Sequence, residues 1–122
     1  MTCLERLQDL NRLSAEGKTM EGFEKHYHEN VTVTEMPTGE VRQGKNAQRE
    51  AIQGWFGSVK EMHGGGVGAV TSNEEDQTTC CESWFDVTFA DGNRMTMKEV
   101  GVQKWQDGQI IDEKFYYNMP GQ

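Results

Sequence analysis

The chain has no long apolar run. None of its segments approaches the roughly eighteen consecutive apolar residues that a membrane-spanning helix needs, so no membrane is expected as a partner. Basic residues are scarce: twelve Lys and Arg stand against twenty Asp and Glu, for a formal net charge of −8. The acidic excess is spread along the chain and no basic run is visible, which argues against nucleic acid or an anionic surface as partner. Cysteine is limited to Cys3, Cys80 and Cys81. Two of these are adjacent, a poor arrangement for a mutual disulfide. The pattern is that of small buried thiols in a reduced, cytoplasmic protein. The opening Met-Thr-Cys-Leu-Glu-Arg-Leu carries charges where a secretory signal has its apolar stretch, so the Asn30-Val31-Thr32 glycosylation triplet is expected to be idle. Nucleophile signatures are missing as well. His63-Gly64-Gly65-Gly66 is like an esterase oxyanion loop, but no Gly-x-Ser-x-Gly elbow accompanies it. No Lys-Ser/Thr pair follows the run either, which excludes a phosphate loop.

What is present fits one domain over residues 1–122, with no repeat and no linker. Leu4, Leu7, Leu10 and Leu13 recur at helical spacing, and Gly17 is a plausible stop. Thr19 can cap a second helix, Met20–Glu29, burying Met20, Phe23 and Tyr27 on one stripe. A short β-branched strand, Val31–Glu35, runs into a Pro/Gly loop that closes at Gly44. A third helix is expected from about Lys45 to Met62, and the glycine run ends it. A strand near Val67–Asn73 follows. Asp91-Gly92 and Asp107-Gly108 are strong hairpin signals that divide Thr78–Ala90, Asn93–Gln106 and Gln109–Met119 into long antiparallel strands. The fold class is α+β: three N-terminal helices packed on a strongly curved, mainly antiparallel sheet.

Strand alternation sorts the faces. Val31, Val33 and Glu35 share one side, so the acid lies in line with two core-facing residues. An inward carboxyl gains a raised pKa and suits proton transfer near neutral pH, whereas an outward one is an ordinary strand-end acid. In Thr78–Ala90 the more apolar set is Cys81, Ser83, Phe85, Val87 and Phe89. In the next strand Met95, Met97, Glu99, Gly101, Gln103 and Trp105 form the better candidate for the concave face. The last strand is ambiguous: Ile110, Asp112, Lys114 and Tyr116 compete with Ile111, Glu113, Phe115 and Tyr117. His26, His28 and His63 do not make a metal site, because two His at i and i+2 of a helix point apart.

Taken in order, the two helices, Tyr27, the strand ending at Glu35, Arg42-Gln43-Gly44, a helix with Trp55-Phe56 and the Asp-Gly hairpins resemble the SnoaL-like and ketosteroid isomerase-like proteins of the cystatin-like, nuclear transport factor 2-like superfamily. The resemblance covers nearly the whole chain. It implies a cone in which a bent sheet wraps a helix around a deep apolar pocket, and a homodimer joined through the outer sheet face. It also implies that Glu35, ahead of the closing Arg-x-Gly, stands where the isomerases carry their general base. Two positions depart from the isomerases. Leu10 lies near their oxyanion-binding Tyr, and Gly101 falls where they hold a protonated Asp, with Glu99 one same-face step away. Asn118 follows Tyr116-Tyr117 where the cyclases usually place an acid. Steroid isomerisation itself is therefore not expected.

The resulting expectation is a cofactor-independent isomerase, lyase or cyclase. Glu35 takes a proton next to a carbonyl of a small apolar molecule, and Tyr27, Glu99 or Tyr116 donates to the developing oxyanion. Phe23, Val33, Trp55, Phe85, Met97 and Tyr116 are the expected ligand-binding residues. No metal or cofactor is called for. A non-catalytic module that holds a hydrophobic ligand, or a dimerisation module of the same fold, is the alternative. Trp84, Val100 and Val102 are the expected outer-face contacts of the dimer.

Overall fold

Residues 1–118 are described by a computed structural model. Helix α1 spans Cys3–Ala15 and opens with a capping box, in which the Thr2 hydroxyl accepts from the Glu5 N–H while the Glu5 side chain accepts from Thr2. A second acid reinforces this start. The Glu74 carboxylate, from a distant turn, accepts from the N–H groups of Cys3 at 2.8 Å and Leu4 at 3.1 Å. Gly17, at φ +79°, turns the chain out of α1 in a backbone region that only glycine enters cheaply. Helix α2, Thr19–His26, is shorter than its apolar stripe suggests. Tyr27 is already extended and pairs with Ile110, so it opens strand β1, Tyr27–Glu35, instead of closing the helix.

The expected loop after Glu35 contains a short strand, β2 (Glu40–Gln43), folded antiparallel onto β1. Helix α3 covers Lys45–Ser58 and stops four residues before the expected Met62. From Val59 the chain is recruited into β3, Val59–Asn73, which runs straight through the glycine run. The reason is visible on the outer face, where the Trp84 ring of the neighbouring strand lies across the bare backbone of Gly64 and Gly66. A Cβ on Gly66 would sit 2.9 Å from the indole nitrogen. Those glycines are therefore a seat for an aromatic ring, not a hinge. Strands β4 (Thr78–Phe89), β5 (Arg94–Gln106) and β6 (Gln109–Tyr117) complete the meander. The expected end at Met119 lies outside the described residues.

The six strands run in the order β2-β1-β6-β5-β4-β3, with β1 and β6 parallel and every other pair antiparallel. This is an open, mixed sheet carrying three helices, the α+β cone expected from the sequence. Register shifts at Val59/Glu61, Met62/Gly64 and Val67/Val70 in β3, and at Lys104/Trp105 in β5, bend it. On its concave side Leu7, Phe23, Tyr27, Val31, Val33, Cys81, Trp105 and Ile110 form the core. Among the described residues no helix is long and apolar enough to cross a membrane.

Candidate functional site

Because β4, β5, β6 and β1 stay in register over the centre of the sheet, the concave face is laid out in rows of direct cross-strand partners. One row runs Thr79–Gln103–Glu113–Val33–Arg42, the next Cys81–Gly101–Phe115–Glu35, and the third Ser83–Glu99–Tyr117. Three carboxyl groups, Glu35, Glu99 and Glu113, thus come to one face from three strands.

Two cavities that share part of their lining occupy the space between this face and the helices. The outer one, about 580 Å³, is walled by Trp55 and Phe56 of α3, Phe85, Met97, Glu35, Arg42, Glu99 and Tyr117. Its aromatic wall is built edge to face, with Trp55 5.2 Å from both Phe56 and Phe85. The inner one, about 320 Å³, is lined by Leu7, Leu10, Phe23, Tyr27, Cys81, Gln103 and Glu113. Ser14, Thr19, Ile52, Glu99 and Phe115 border both lobes, and Glu99 is the acid at the passage between them.

The three carboxyls have different surroundings. At the mouth, Arg42 lies opposite Val33 and so points diagonally at Glu35, donating to its Oε2 at 2.6 Å. The Tyr117 hydroxyl donates to the other oxygen at 2.9 Å. Arg42 is held in turn by Glu40 and by Gln48 at the start of α3, 2.7 Å away. Both Glu35 oxygens are therefore engaged, and burial together with this bond pushes the Tyr117 phenol up to about 12. At the passage, Glu99 makes no hydrogen bond among the described residues. Burial, and then the nearby Glu35 charge, push it up to about 7. At the floor, Glu113 is 2% exposed and accepts from Tyr27 and from Gln103 Nε2 at 2.9 Å. Burial outweighs both bonds and pushes this acid up to about 7.

Of the residues singled out from sequence, Glu35, Glu99, Trp55, Phe85 and Met97 share the outer lobe, and Phe23, Tyr27 and again Glu99 the inner one. Val33 does not line either cavity; it is fully buried, enclosed by its neighbours in the Glu113 row. Tyr116 is also corrected. It pairs with Val100 on the convex face and is 44% exposed, because the inward alternation of β6 is Glu113, Phe115 and Tyr117. It lines a shallow outer groove with Trp84 and Val100. Arg42 as a clamp, Tyr117, Glu113 and Gln103 were missed. For Tyr117, Glu113 and Gln103 the signal was parity, each lying two residues from an aromatic residue on the inner face; Arg42 had none. The histidines lie apart from the cavity. His26 is bonded to Asp9 at 2.7 Å and His63 to Thr88 at 2.7 Å. Cys81 forms part of the inner wall, and burial pushes its thiol up.

Known proteins share this architecture and part of this sequence. The family model described as a SnoaL-like domain matches residues 1–117. A protein from Mesorhizobium loti, proposed to be a SnoaL-like polyketide cyclase, has a solved structure that is 34% identical, with a TM-score of 0.84 over 96% of this chain and 100% of the other. A proposed polyketide cyclase from Pseudomonas putida is 17% identical, with a TM-score of 0.80 over 98% and 93% of the two chains. A proposed isomerase from Rhodopseudomonas palustris is 15% identical, with a TM-score of 0.73 over 98% and 91%. At these last two identities the likeness concerns the fold alone. No curated protein matches the chain.

Proposed function

The chain belongs to the SnoaL-like domain family, and from that premise we propose that it is a cofactor-independent isomerase, lyase or cyclase acting next to a carbonyl of a small apolar molecule. The observation that carries this reading is Glu99. It is a carboxyl without a hydrogen-bond partner, at the passage between two apolar lobes, pushed up to about 7. Such a group exchanges a proton readily near neutral pH. Glu35, the base expected from sequence position, supports the step differently: its oxygens are taken by Arg42 and Tyr117, and its charge is one cause of the shift at Glu99. In this reading Glu99 removes the proton adjacent to the carbonyl. The oxygen that gains charge is met by the Arg42 guanidinium, which has N–H groups beyond those given to Glu35, Glu40 and Gln48, and Trp55, Phe56 and Phe85 keep water from the reacting carbon.

The natural substrate need not be known to test this. Incubation with 2-tetralone in deuterium oxide should incorporate deuterium next to the carbonyl faster than buffer alone, and Glu99→Gln should lose the excess. Ketone binding without exchange would leave a non-catalytic binding module as the correct reading.

The same proposal includes a homodimer through the convex face, where Trp84, Val100 and Tyr116 are 42%, 38% and 44% exposed on adjacent strands beside the half-buried Val102. Sedimentation at micromolar concentration should give twice the 13.8 kDa chain mass, and Val100→Glu should return it to one.

A further inference from the structure

Below Glu113 the concave face carries a line of buried polar side chains that the proposed chemistry does not use. Trp105 Nε1 donates to Thr79 Oγ1 at 2.9 Å, Thr79 Oγ1 donates to Gln103 Oε1 at 2.8 Å, and Gln103 Nε2 donates to Glu113 Oε2 at 2.9 Å. Thr79, Gln103, Glu113 and Trp105 are all 3% exposed or less, so water does not supply alternatives. The line exists because Thr79, Gln103 and Glu113 are direct partners on three neighbouring strands, and because position 101 is glycine. A Cβ there would lie 2.7 Å from Gln103 Nε2, in the space the amide occupies.

The line runs one way only. An indole N–H can donate and never accept, so Thr79 must accept from Trp105 and give its own hydrogen onward. That hydrogen requires the amide oxygen of Gln103 to face Thr79, and hence its NH₂ to face Glu113. Glu113 Oε2 is thereby fixed as an acceptor. The other oxygen, Oε1, meets the hydroxyl of Tyr27.

We propose that this one-way line confines any proton held by Glu113 to Oε1, which makes Glu113 a positioning residue that sets whether Tyr27 gives its hydroxyl hydrogen to Glu113 or to an oxygen of a molecule in the inner lobe. With Glu113 ionised, Tyr27 donates to Oε1 and offers the lobe only a lone pair. With Glu113 protonated, Oε1–H donates to the Tyr27 oxygen, and the phenol hydrogen is released towards the lobe. One proton separates the two states, taken from or returned to solvent. The ligand feature this selects is an uncharged keto or hydroxyl oxygen at the inner end of the molecule; this part rests on the proposed carbonyl-bearing ligand.

The other ionisable groups facing the pair are Glu99 on β5, Glu35 on β1, Arg42 on β2 and Cys81 on β4. The lobe lining contributed by α1, α2 and α3 holds no ionisable side chain. Glu99 titrates in the same range, so it must be neutralised in a control.

The test is a carbon-13 NMR titration of the Glu113 carboxyl and the Tyr27 ring carbon bearing the hydroxyl, from pH 5.5 to 8.5, in the protein and in Glu99→Gln. Both signals should move together with a midpoint near 7 in either background. In Glu113→Gln the side-chain NH₂ should donate permanently to Tyr27, holding the Tyr27 signal at its acid-limit value across the range. In Thr79→Val the Gln103 amide is free to turn, and the Tyr27 response should shrink. Affinity for 2-tetralone should fall about tenfold between pH 6 and 8 in Glu99→Gln, the size of one hydrogen bond, and should be flat once Glu113→Gln is added. A Tyr27 signal that ignores the Glu113 titration, or that sits at its alkaline limit in Glu113→Gln, overturns the proposal. If the two carbons titrate together but 2-tetralone does not bind, the proton assignment stands and the carbonyl-ligand reading falls. If the ketone binds but Tyr27 does not follow Glu113, the reverse holds.

Discussion

The mouth and the floor of the cone each hold a glutamate on the same face of the same sheet, one row apart, and they are handled in opposite ways. Glu35 at the mouth is met by a cation, a phenol and, through Arg42, by Glu40 and Gln48. Glu113 at the floor is met only by neutral donors. A carboxylate paired with a guanidinium keeps its charge and works by its field. A carboxyl enclosed among neutral groups holds its proton into the neutral range and works by exchanging it. Glu99 lies between them and has neither kind of partner. The contrast shows that the surroundings of an acid in this fold are set by the donors that neighbouring strands bring to it, more than by its position at a strand end.

The comparison can be broken most severely at the passage. Replacing Glu99 by Gln removes the unpartnered acid and should lower deuterium incorporation into a ketone by at least about a hundredfold. Glu35→Gln should cost less, since Arg42 and Tyr117 remain. If Glu35→Gln proved the more damaging, the mouth and not the passage would hold the base.

Next in size is a pH effect at the floor. The folded-state value of Glu113, about 7, lies above its ordinary 4.5, so folding favours the protonated form. As pH rises through this window the unfolded chain releases its proton first and the folded chain holds it. Stability therefore falls with rising pH, with on the order of 3 kcal/mol at stake. Urea unfolding at pH 5 and pH 8 should show the loss, and Glu113→Gln should reduce it. Glu99 acts in the same direction, so the slope should be flattened and not abolished.

The smallest effect belongs to the mouth. Arg42→Met leaves the Glu35 carboxylate without its cation, at a site where both side chains are less than one-fifth exposed. A loss of about 2 kcal/mol is expected from thermal unfolding. The pKa of Glu99 should rise further in this variant, because the Glu35 charge beside it is no longer offset.

Strands β4 and β5 were legible in the sequence because their alternation is consistent and their pairing carries no register shift. That regularity puts Glu99 on the same face as Phe85 and Met97. Strand β6 was not legible, because the register shift at Lys104/Trp105 changes its inward parity, from Ile110 to Glu113, Phe115 and Tyr117. Only the pairing of Gln103 with Glu113 decides that Tyr117 faces inward and Tyr116 outward. The glycine run misled for a related reason: a glycine's part in a strand is set by the ring that covers it, and Trp84 lies eighteen residues beyond Gly66. Arg42 carried no signal of its own. Its role follows from β2, a strand of four residues too short to show a period.

The Glu74 carboxylate at the start of α1 has a further consequence. First-turn amides of a helix ordinarily exchange with solvent almost freely, because nothing inside the helix accepts from them. Here those of Cys3 and Leu4 are held by a side chain 71 and 70 residues away. Their hydrogen-exchange rates should then report the opening of the β3–β4 turn and not the fraying of α1, and Glu74→Ala should release both at once. The beginning of the chain keeps time for its middle.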